Sequence, residues 1–260
     1  RGEIAVRIIR TCEEMGIKTV AIYSEADRLS PHVLKATEAY CIGPAPSTES
    51  YLNTKEILYI VKNNNIDAVH PGYGFLSENY HFAEAVSKLG CTWIGPSTQA
   101  IITMGDKIAA RDLAKSVNAP IIPGNNNPIK NLDEALKVSE NIGFPILIKA
   151  AGGGGGKGMR IVKSKDELQD AINRSKSESS KSFSDDRVYI EKYIEEPHHI
   201  EIQILGDNYG NIISLGDREC SIQRRYQKII EEAPSPFIDN KLRDSLSKIA
   251  IKIAKACNYS

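Results

Sequence analysis

Stretches with apolar residues at helical spacing alternate with short β-rich runs in the N-terminal part of the chain. The spacing predicts helices over residues 3–15, 54–62 and 78–89, and strands over 19–23, 67–70 and 92–94. Strands that alternate with helices are typical of a parallel α/β sheet. Because the chain opens directly on a helix, we expect the strand that should precede it to lie outside this sequence.

After a helical stretch over residues 97–118, the pattern changes to short strands separated by turns. Helices are predicted over 132–142, 166–181 and 242–257, and strands over 144–150, 159–162, 188–194, 199–205 and 211–215. The turns EEP and DNYG indicate a mixed or antiparallel sheet, so the fold class is α/β with two different units. The helix over 166–181 is rich in Ser and Lys and is expected to be a solvated face. No strand follows the apolar stripe of the last helix, and we expect both ends to be cuts through a larger fold.

Charge and cysteine content narrow the possible function classes. The 260 residues include 33 Lys and Arg against 33 Asp and Glu, so the chain has no global field with which to hold nucleic acid or an anionic membrane. Any anion site must therefore be local. The five cysteines include no CxxC pair, which predicts reduced thiols rather than a disulfide framework or a zinc site. No apolar run approaches the ~18 residues of a membrane span.

A run of five glycines, in the segment AGGGGGKG over residues 151–158, is the strongest local signal. It departs from the Walker pattern because its lysine is followed by glycine rather than by Ser or Thr. It matches GxGxxG, but that fingerprint must open a helix, and residues 159–162 are strand-like. We therefore predict a glycine-rich hairpin whose backbone N–H groups close over phosphates. A flexible linker is the alternative.

Candidate anion ligands lie beside this run and recur along the chain. Lys149 ends an apolar strand, where it either meets a phosphate or extends its ammonium to solvent. Lys107 either faces a ligand or lies on an exposed helix, and the residues alone favour the exposed helix. The segment QRRYQK over 223–228 is either a solvated charged surface or a cationic wall for small anions. HPGYGFLSE over 70–78 ends a strand where such folds bind ligands, although a Pro-Gly turn explains it nearly as well.

Taken together, these segments resemble the biotin carboxylase component of biotin-dependent carboxylases. The motifs are, in chain order, RGEIA at 1–5, HPGYGFLSEN at 70–79, MGDK at 104–107, the glycine run, EKYIEEPHHIEIQ at 191–203, and RECSIQRR with QKIIEEAP up to position 234. They extend over the whole chain in the family's order and spacing. The segments AIYSEAD and GPAP are most similar to the α subunits of propionyl-CoA and 3-methylcrotonyl-CoA carboxylases.

The resemblance implies an ATP-grasp ligase, in which ATP phosphorylates bicarbonate to carboxyphosphate and this carboxylates N1 of biotin on a carrier domain. It implies a Rossmann-like pre-ATP-grasp domain over residues 1–95, a helical linker over 96–119, a glycine-rich lid subdomain over 120–193, and the truncated start of the central ATP-grasp subdomain over 194–260. The implied cofactors are ATP, Mg²⁺ or Mn²⁺, and carrier-bound biotin. The implied partners are bicarbonate, a biotin carrier domain and a carboxyltransferase subunit or domain, within an oligomer, with no nucleic acid and no membrane.

Site residues are implied where the family motifs match. Lys107 and Lys149 would contact ATP phosphates, with Gly155 and Gly156 in the lid above them. The other implied nucleotide contacts are Glu191, Lys192, Tyr193, Ile194, His199, Gln223 and Tyr226. The implied bicarbonate site consists of Lys228 with Arg224 and Arg225, and Tyr73 and Gly74 would approach biotin.

The sequence departs from the family pattern in two places. Tyr226 stands where many members have histidine, which puts one nucleotide contact in question. The sequence ends before the family's AGTxEF and EMNxRxQVEH segments, which hold the magnesium-binding carboxylates, so no metal ligand is assigned.

The alternative hypothesis is accordingly a non-catalytic fragment with at most nucleotide binding, and we expect the 260 residues alone to be inactive. A carbamoyl-phosphate synthetase is disfavoured by HPGYGFLSE and QRRxQK, and a dinucleotide-dependent dehydrogenase by the strand after the glycine run. The expected compartment is the mitochondrial matrix in a eukaryote and the cytoplasm in a prokaryote.

Overall fold

The computed structural model describes residues 1–125, 127–151, 158–224 and 226–260. The chain divides into two compact units, Arg1–Ile101 and Ile102–Ser260. The finer four-part division expected from the resemblance stays a prediction.

The first unit alternates helices with short parallel strands. Its elements are α1 (Glu3–Glu14), β1 (Val20–Tyr23), α2 (Pro31–Lys35), β2 (Glu38–Cys41), α3 (Thr54–Asn63), β3 (Ala68–Val69), α4 (Tyr80–Lys88) and β4 (Thr92–Trp93). β1 pairs with β2 and β3 with β4, both in parallel. This confirms the predicted alternation and strand direction, whereas α2 and β2 were not predicted because neither short segment has a clear apolar period.

The core of the first unit is formed where the apolar faces of α3 and α4 meet. Ile57, Ile60 and Val61 of α3 are buried with Phe82 and Val86 of α4. Both helices begin at an asparagine whose side chain accepts a backbone N–H, a cap that stabilises each start by about 1 kcal/mol.

The second unit contains antiparallel sheets with helices against them. After α5 (Thr98–Gly105), which crosses the unit boundary, its elements are α6 (Lys107–Ser116), α7 (Leu132–Ile142), β5 (Ile146–Ala150), β6 (Arg160–Val162), α8 (Leu168–Phe183), β7 (Val188–Lys192), β8 (Ile200–Gly206), β9 (Ile212–Arg224), β10 (Gln227–Glu232) and α9 (Asn240–Ala256). Among the described residues, one sheet has the order β6-β5-β7 and the other β10-β9-β8.

The sheet β6-β5-β7 has its core on the side of α7 and α8. Ile146 and Ile148 of β5 are fully buried, as is Leu168 of α8. Ser175 and Ser179 of α8 are also fully buried. The expectation that this polar helix is simply a solvated face is therefore wrong, because small serines let one side of it pack closely against the sheet.

The sheet β10-β9-β8 holds together through charged as well as apolar contacts. β9 runs nine residues beyond its predicted end at residue 215, and β10 was not predicted, because the residues there are largely polar and lack a regular apolar alternation. α9 packs against this sheet, and its Arg243 forms an ion pair with the buried Asp217 of β9. In the part of the chain that the structure describes, no helix is both long and apolar enough to cross a membrane.

Candidate functional site

The glycine run joins two antiparallel strands, as predicted. β5 pairs with β6 so that Ile148 lies opposite Arg160, and the run lies between them. A strand rather than a helix follows it, which excludes the dinucleotide-binding arrangement. Gly155 and Gly156 lie outside the described residues, so their predicted contact with phosphates stays a prediction.

Lys149 has a protein partner that the sequence did not indicate. Its Nζ lies 2.6 Å from Oε2 of Glu191, which faces it from β7, and only 21 % of the Lys149 side chain is exposed. Glu191 is buried. The ammonium is therefore fixed against β7 rather than extended to solvent.

Arg111 of α6 completes this cluster and was missed by the sequence analysis. It is 8 % exposed, its Nη1 donates to Oε1 of Glu191, and its Nη2 donates to the carbonyl of Ile122 at 2.9 Å. Its guanidinium also lies over the ring of Tyr189. The available signal was the spacing of Lys107 and Arg111, four residues apart on one helix face.

Lys107 begins α6 and turns toward the end of β5. Its Nζ donates to the carbonyl of Ala150 at 3.3 Å. Burial lowers the pKa of Lys107, and the nearby charge of Lys149 lowers it further, although Glu191 partly offsets both effects. The exposed-helix interpretation is therefore wrong: Lys107, Lys149 and Glu191 form one partly buried charged cluster.

Lys192 belongs to the same strand as Glu191 but points elsewhere. Its Nζ donates to the carbonyls of Gly143 and Phe144, at 3.0 and 3.1 Å. β7 ends at Lys192, so the predicted continuation of the strand to Ile194 is wrong. The backbone N–H of Tyr193 still donates to the carbonyl of Pro145 at 3.2 Å, whereas Ile194 is about half exposed.

A second charged cluster lies on β8, β9 and β10 around Glu201. Lys228 of β10 bonds to Oε1 of this carboxylate, and Arg218 of β9 lies 2.8 Å from its Oε2. Burial raises the pKa of Glu201, but the hydrogen bond and charge of Lys228, with the charge of Arg218, outweigh it and hold that pKa below its ordinary value.

His199 and Gln223 extend the Glu201 cluster. His199 Nε2 lies 3.0 Å from Oε1 of Glu201, and its Nδ1 lies 2.7 Å from Nε2 of Gln223. With the Gln223 amide in this orientation, Nδ1 accepts and the Nε2 hydrogen faces the carboxylate. The structure thus brings together three of the predicted positions, His199, Gln223 and Lys228, around a glutamate that the sequence analysis did not select.

The remaining predicted site residues that the structure describes are exposed. Arg224 ends β9 and is exposed, and Tyr226 lies beyond it with φ of 66° and half of its surface exposed. Arg225 lies outside the described residues. Tyr73 and Gly74 belong to the first unit, where Tyr73 is 78 % exposed and Gly74 has φ of 73°.

No set of three His, Cys, Asp or Glu side chains within the described ranges is arranged to hold a metal ion. Magnesium therefore has no set of ligands among these residues.

Comparison with known proteins identifies the family to which this chain belongs. The model described as "Carbamoyl-phosphate synthase L chain, ATP binding domain" matches residues 106–260, and the model "Biotin carboxylase, N-terminal domain" matches residues 1–101. The chain belongs to the biotin carboxylase family. The first model covers the ATP-binding part, and the second distinguishes this family from carbamoyl-phosphate synthase itself. The α/β class, with a Rossmann-like domain followed by ATP-grasp structure, is confirmed.

Curated relatives of this biotin carboxylase chain are similar over its whole length. Biotin carboxylase 1 of Bacillus subtilis is 51 % identical over 260 residues, which is 58 % of that protein. The mitochondrial propionyl-CoA carboxylase alpha chain of Sus scrofa is 52 % identical, and the chain spans 36 % of it. Because the two identities are nearly equal, the acyl-CoA subtype stays a prediction. The chain spans little more than half, or less, of the length of these relatives.

Two solved structures are similar in both fold and sequence. A biotin carboxylase complex with a β,γ-ATP compound from Campylobacter jejuni has a TM-score of 0.97 and 45 % identity, covering 100 % of this chain and 58 % of its own. The biotin carboxylase domain dimer of Hydrogenobacter thermophilus 2-oxoglutarate carboxylase, with MgADP, ADP and bicarbonate, has a TM-score of 0.94 and 45 % identity, covering 100 % of this chain and 57 % of its own.

Proposed function

We propose that the protein containing this chain is the biotin carboxylase part of an acyl-CoA carboxylase. It uses ATP to activate bicarbonate and transfers the carboxyl group to biotin on a carrier domain. The observation that supports this most is the pair of charged clusters, around Glu191 and Glu201, in a chain so similar to solved biotin carboxylases in complex with an ATP compound or with bicarbonate.

The Glu191 cluster is suited to the phosphates of ATP. Lys149 stands at the end of the strand that enters the glycine hairpin, and Lys107 lies against the same strand end. Phosphoryl transfer needs fixed positive charge and positioning more than covalent catalysis. Both lysines are held by protein contacts, so little reorganisation is needed when the phosphates arrive.

The Glu201 cluster is suited to bicarbonate through Lys228. An oxygen of bicarbonate attacks the γ-phosphorus, the bond to the ADP oxygen breaks, and carboxyphosphate and ADP result. The carboxyl carbon then passes to N1 of biotin, which loses its proton, and phosphate is released. Lys228 holds the anion, while Glu201 fixes the lysine side chain.

The wider assignments are part of the same proposal. The partners are a biotin carrier domain and a carboxyltransferase, and the assembly is an oligomer. ATP is used with Mg²⁺ or Mn²⁺ held outside the described residues. The compartment is the mitochondrial matrix in a eukaryote and the cytoplasm in a prokaryote, because relatives of both origins are known. The alternative, a non-catalytic fragment with at most nucleotide binding, stays a prediction for the 260 residues taken alone.

The test is ATP hydrolysis by the full-length protein. We expect hydrolysis that requires bicarbonate and rises with free biotin, and transfer of labelled bicarbonate carbon to biotin. Lys228→Met should abolish the bicarbonate dependence, whereas Lys252→Met, at an exposed position of α9, serves as the matched control. Hydrolysis that is indifferent to bicarbonate and biotin would reject the proposal.

A further inference from the structure

Arg111 is a buried cation whose two terminal nitrogens, Nη1 and Nη2, both have protein partners. Nη1 donates to Glu191, Nη2 donates to the carbonyl of Ile122, and the Cζ atom lies over the ring of Tyr189, 5.9 Å from its centre. A buried arginine is costly, and replacement of such ion pairs by apolar residues is often tolerated. Packing alone therefore gives no reason for an arginine at this position.

Glu191 lies between Arg111 and Lys149, and the charge of this trio depends on both cations. Oε1 faces Arg111 and Oε2 faces Lys149. When Arg111, Lys149 and Glu191 are all ionised, their net charge is +1, so the carboxylate does not cancel the charge of Lys149. Without Arg111, Glu191 and Lys149 would form a neutral pair and attract an anion less.

We propose that Arg111 is a positioning residue for ATP: by neutralising Glu191 it lets this carboxylate fix Lys149 without cancelling the positive charge that Lys149 presents to the phosphates. The inference rests on the proposed function, which places the phosphates at Lys149. Arg111 itself is separated from Lys149 by Glu191 and touches no substrate in this scheme.

The test measures the Kd for ATP of the full-length protein by equilibrium dialysis, with the midpoint of thermal unfolding for each variant. Arg111→Met should raise the Kd by about tenfold, which corresponds to about 1.4 kcal/mol. Arg111→Lys retains the charge and should restore most of the affinity. The double variant Arg111→Met with Glu191→Gln restores the net charge and should bind ATP more tightly than Arg111→Met alone. Arg160→Met is the matched control, since Arg160 lies in the same sheet as Lys149 and Glu191 but pairs with Glu178 of α8.

The double variant separates charge compensation from a merely structural role. If Arg111 only supports packing, removal of a second member of the cluster would not improve binding, and affinity would follow the unfolding midpoint. Equal Kd values for Arg111→Met and Arg160→Met, or a double variant no better than the single one, would overturn the inference. The test of Arg111 can be told apart from the test of the proposed reaction. If the variants show the expected ranking of ATP affinities but the protein shows no bicarbonate-dependent hydrolysis, only the proposed function is rejected. Should Arg111→Met fail to fold, the comparison is made between Arg111→Lys and the double variant Arg111→Lys with Glu191→Gln. Charge compensation predicts that the double variant binds ATP at least as tightly as Arg111→Lys alone, because its net charge is higher. Weaker binding by the double variant would overturn the inference.

Discussion

Lys228 and Glu201 lie on the two outer strands of a three-stranded sheet and form an ion pair across its middle strand. Arg218 of the middle strand binds the second oxygen of the same carboxylate. The carboxylate stays ionised near neutral pH because these cations lower the pKa of Glu201 despite its burial. Glu201 thus fixes Lys228 although their strands, β8 and β10, do not pair with each other.

Replacement of Glu201 by Gln should lower kcat/KM for bicarbonate by about 10- to 100-fold, because Lys228 and Arg218 lose the charge between them. Bicarbonate-dependent ATP hydrolysis by the full-length protein provides the measurement. Glu231→Gln is the matched control, since Glu231 pairs with Arg218 at the edge of the cluster. Equal losses in the two variants would show that Glu201 has no particular role at Lys228.

The ion pair of Asp217 with Arg243 should make stability depend on pH in acid. Burial raises the pKa of Asp217, but the hydrogen bond of Arg243 and the backbone N–H of Ser235 outweigh it and lower that pKa from its ordinary value near 3.8. A carboxyl whose pKa is lower in the folded state contributes stability above its unfolded pKa and loses it as the pH falls through the folded value. Asp217→Asn should therefore cost about 3–5 kcal/mol near neutral pH.

The measurement is the midpoint of thermal unfolding of wild type and Asp217→Asn from pH 7 to pH 3. The difference between them should be constant down to about pH 5 and shrink below about pH 4, since wild type then loses the same contribution. Asp244→Asn, at an exposed position of α9, should leave the midpoint nearly unchanged throughout. A difference between wild type and Asp217→Asn that persists undiminished at pH 3 would contradict the assignment.

Sequence reasoning succeeded where local periodicity determines structure. The helix predicted over residues 132–142 is α7 (Leu132–Ile142), and the glycine run forms the expected link between two strands. In both places the apolar residues and the turn residues that determine the element lie within a few positions of one another, so the local sequence is enough to predict it.

The partners of the site lysines could not be predicted in this way. Arg111 and Glu191 are 80 positions apart, and they meet only because α6 packs beside β7. Along α6 the segment KIAARDL is typical of a solvated helix face. For Glu201 the decisive fact is strand register, which brings one cation from β9 and one from β10 to a carboxylate of β8 and leaves no local apolar pattern.

Gly124→Ala should destabilise the protein by about 1–3 kcal/mol because a Cβ there would press against the carbonyl of Ile190 and the guanidinium of Arg111. Gly124 forms a bridge with Glu191 at the edge of β7, so the added methyl group would displace this segment from the strand. The unfolding midpoint is the measurement. Gly105→Ala has open space around its Cβ and should be neutral or slightly stabilising; equal midpoints for the two variants would contradict the close approach at Gly124.

Two lysines at adjacent strands should respond differently to the same substitution. Lys149→Met leaves Glu191 paired with Arg111, so the fold should persist while the Kd for ATP rises by about 10- to 100-fold. Lys192→Met removes two hydrogen bonds to the carbonyls of Gly143 and Phe144, which should cost about 1–3 kcal/mol of stability. Calorimetric midpoints and ATP binding, measured on both full-length variants, should therefore rank them in opposite orders. If Lys149→Met lowered the midpoint more than Lys192→Met and bound ATP normally, the ion pair of Lys149 with Glu191 would be a structural contact and not part of a phosphate site.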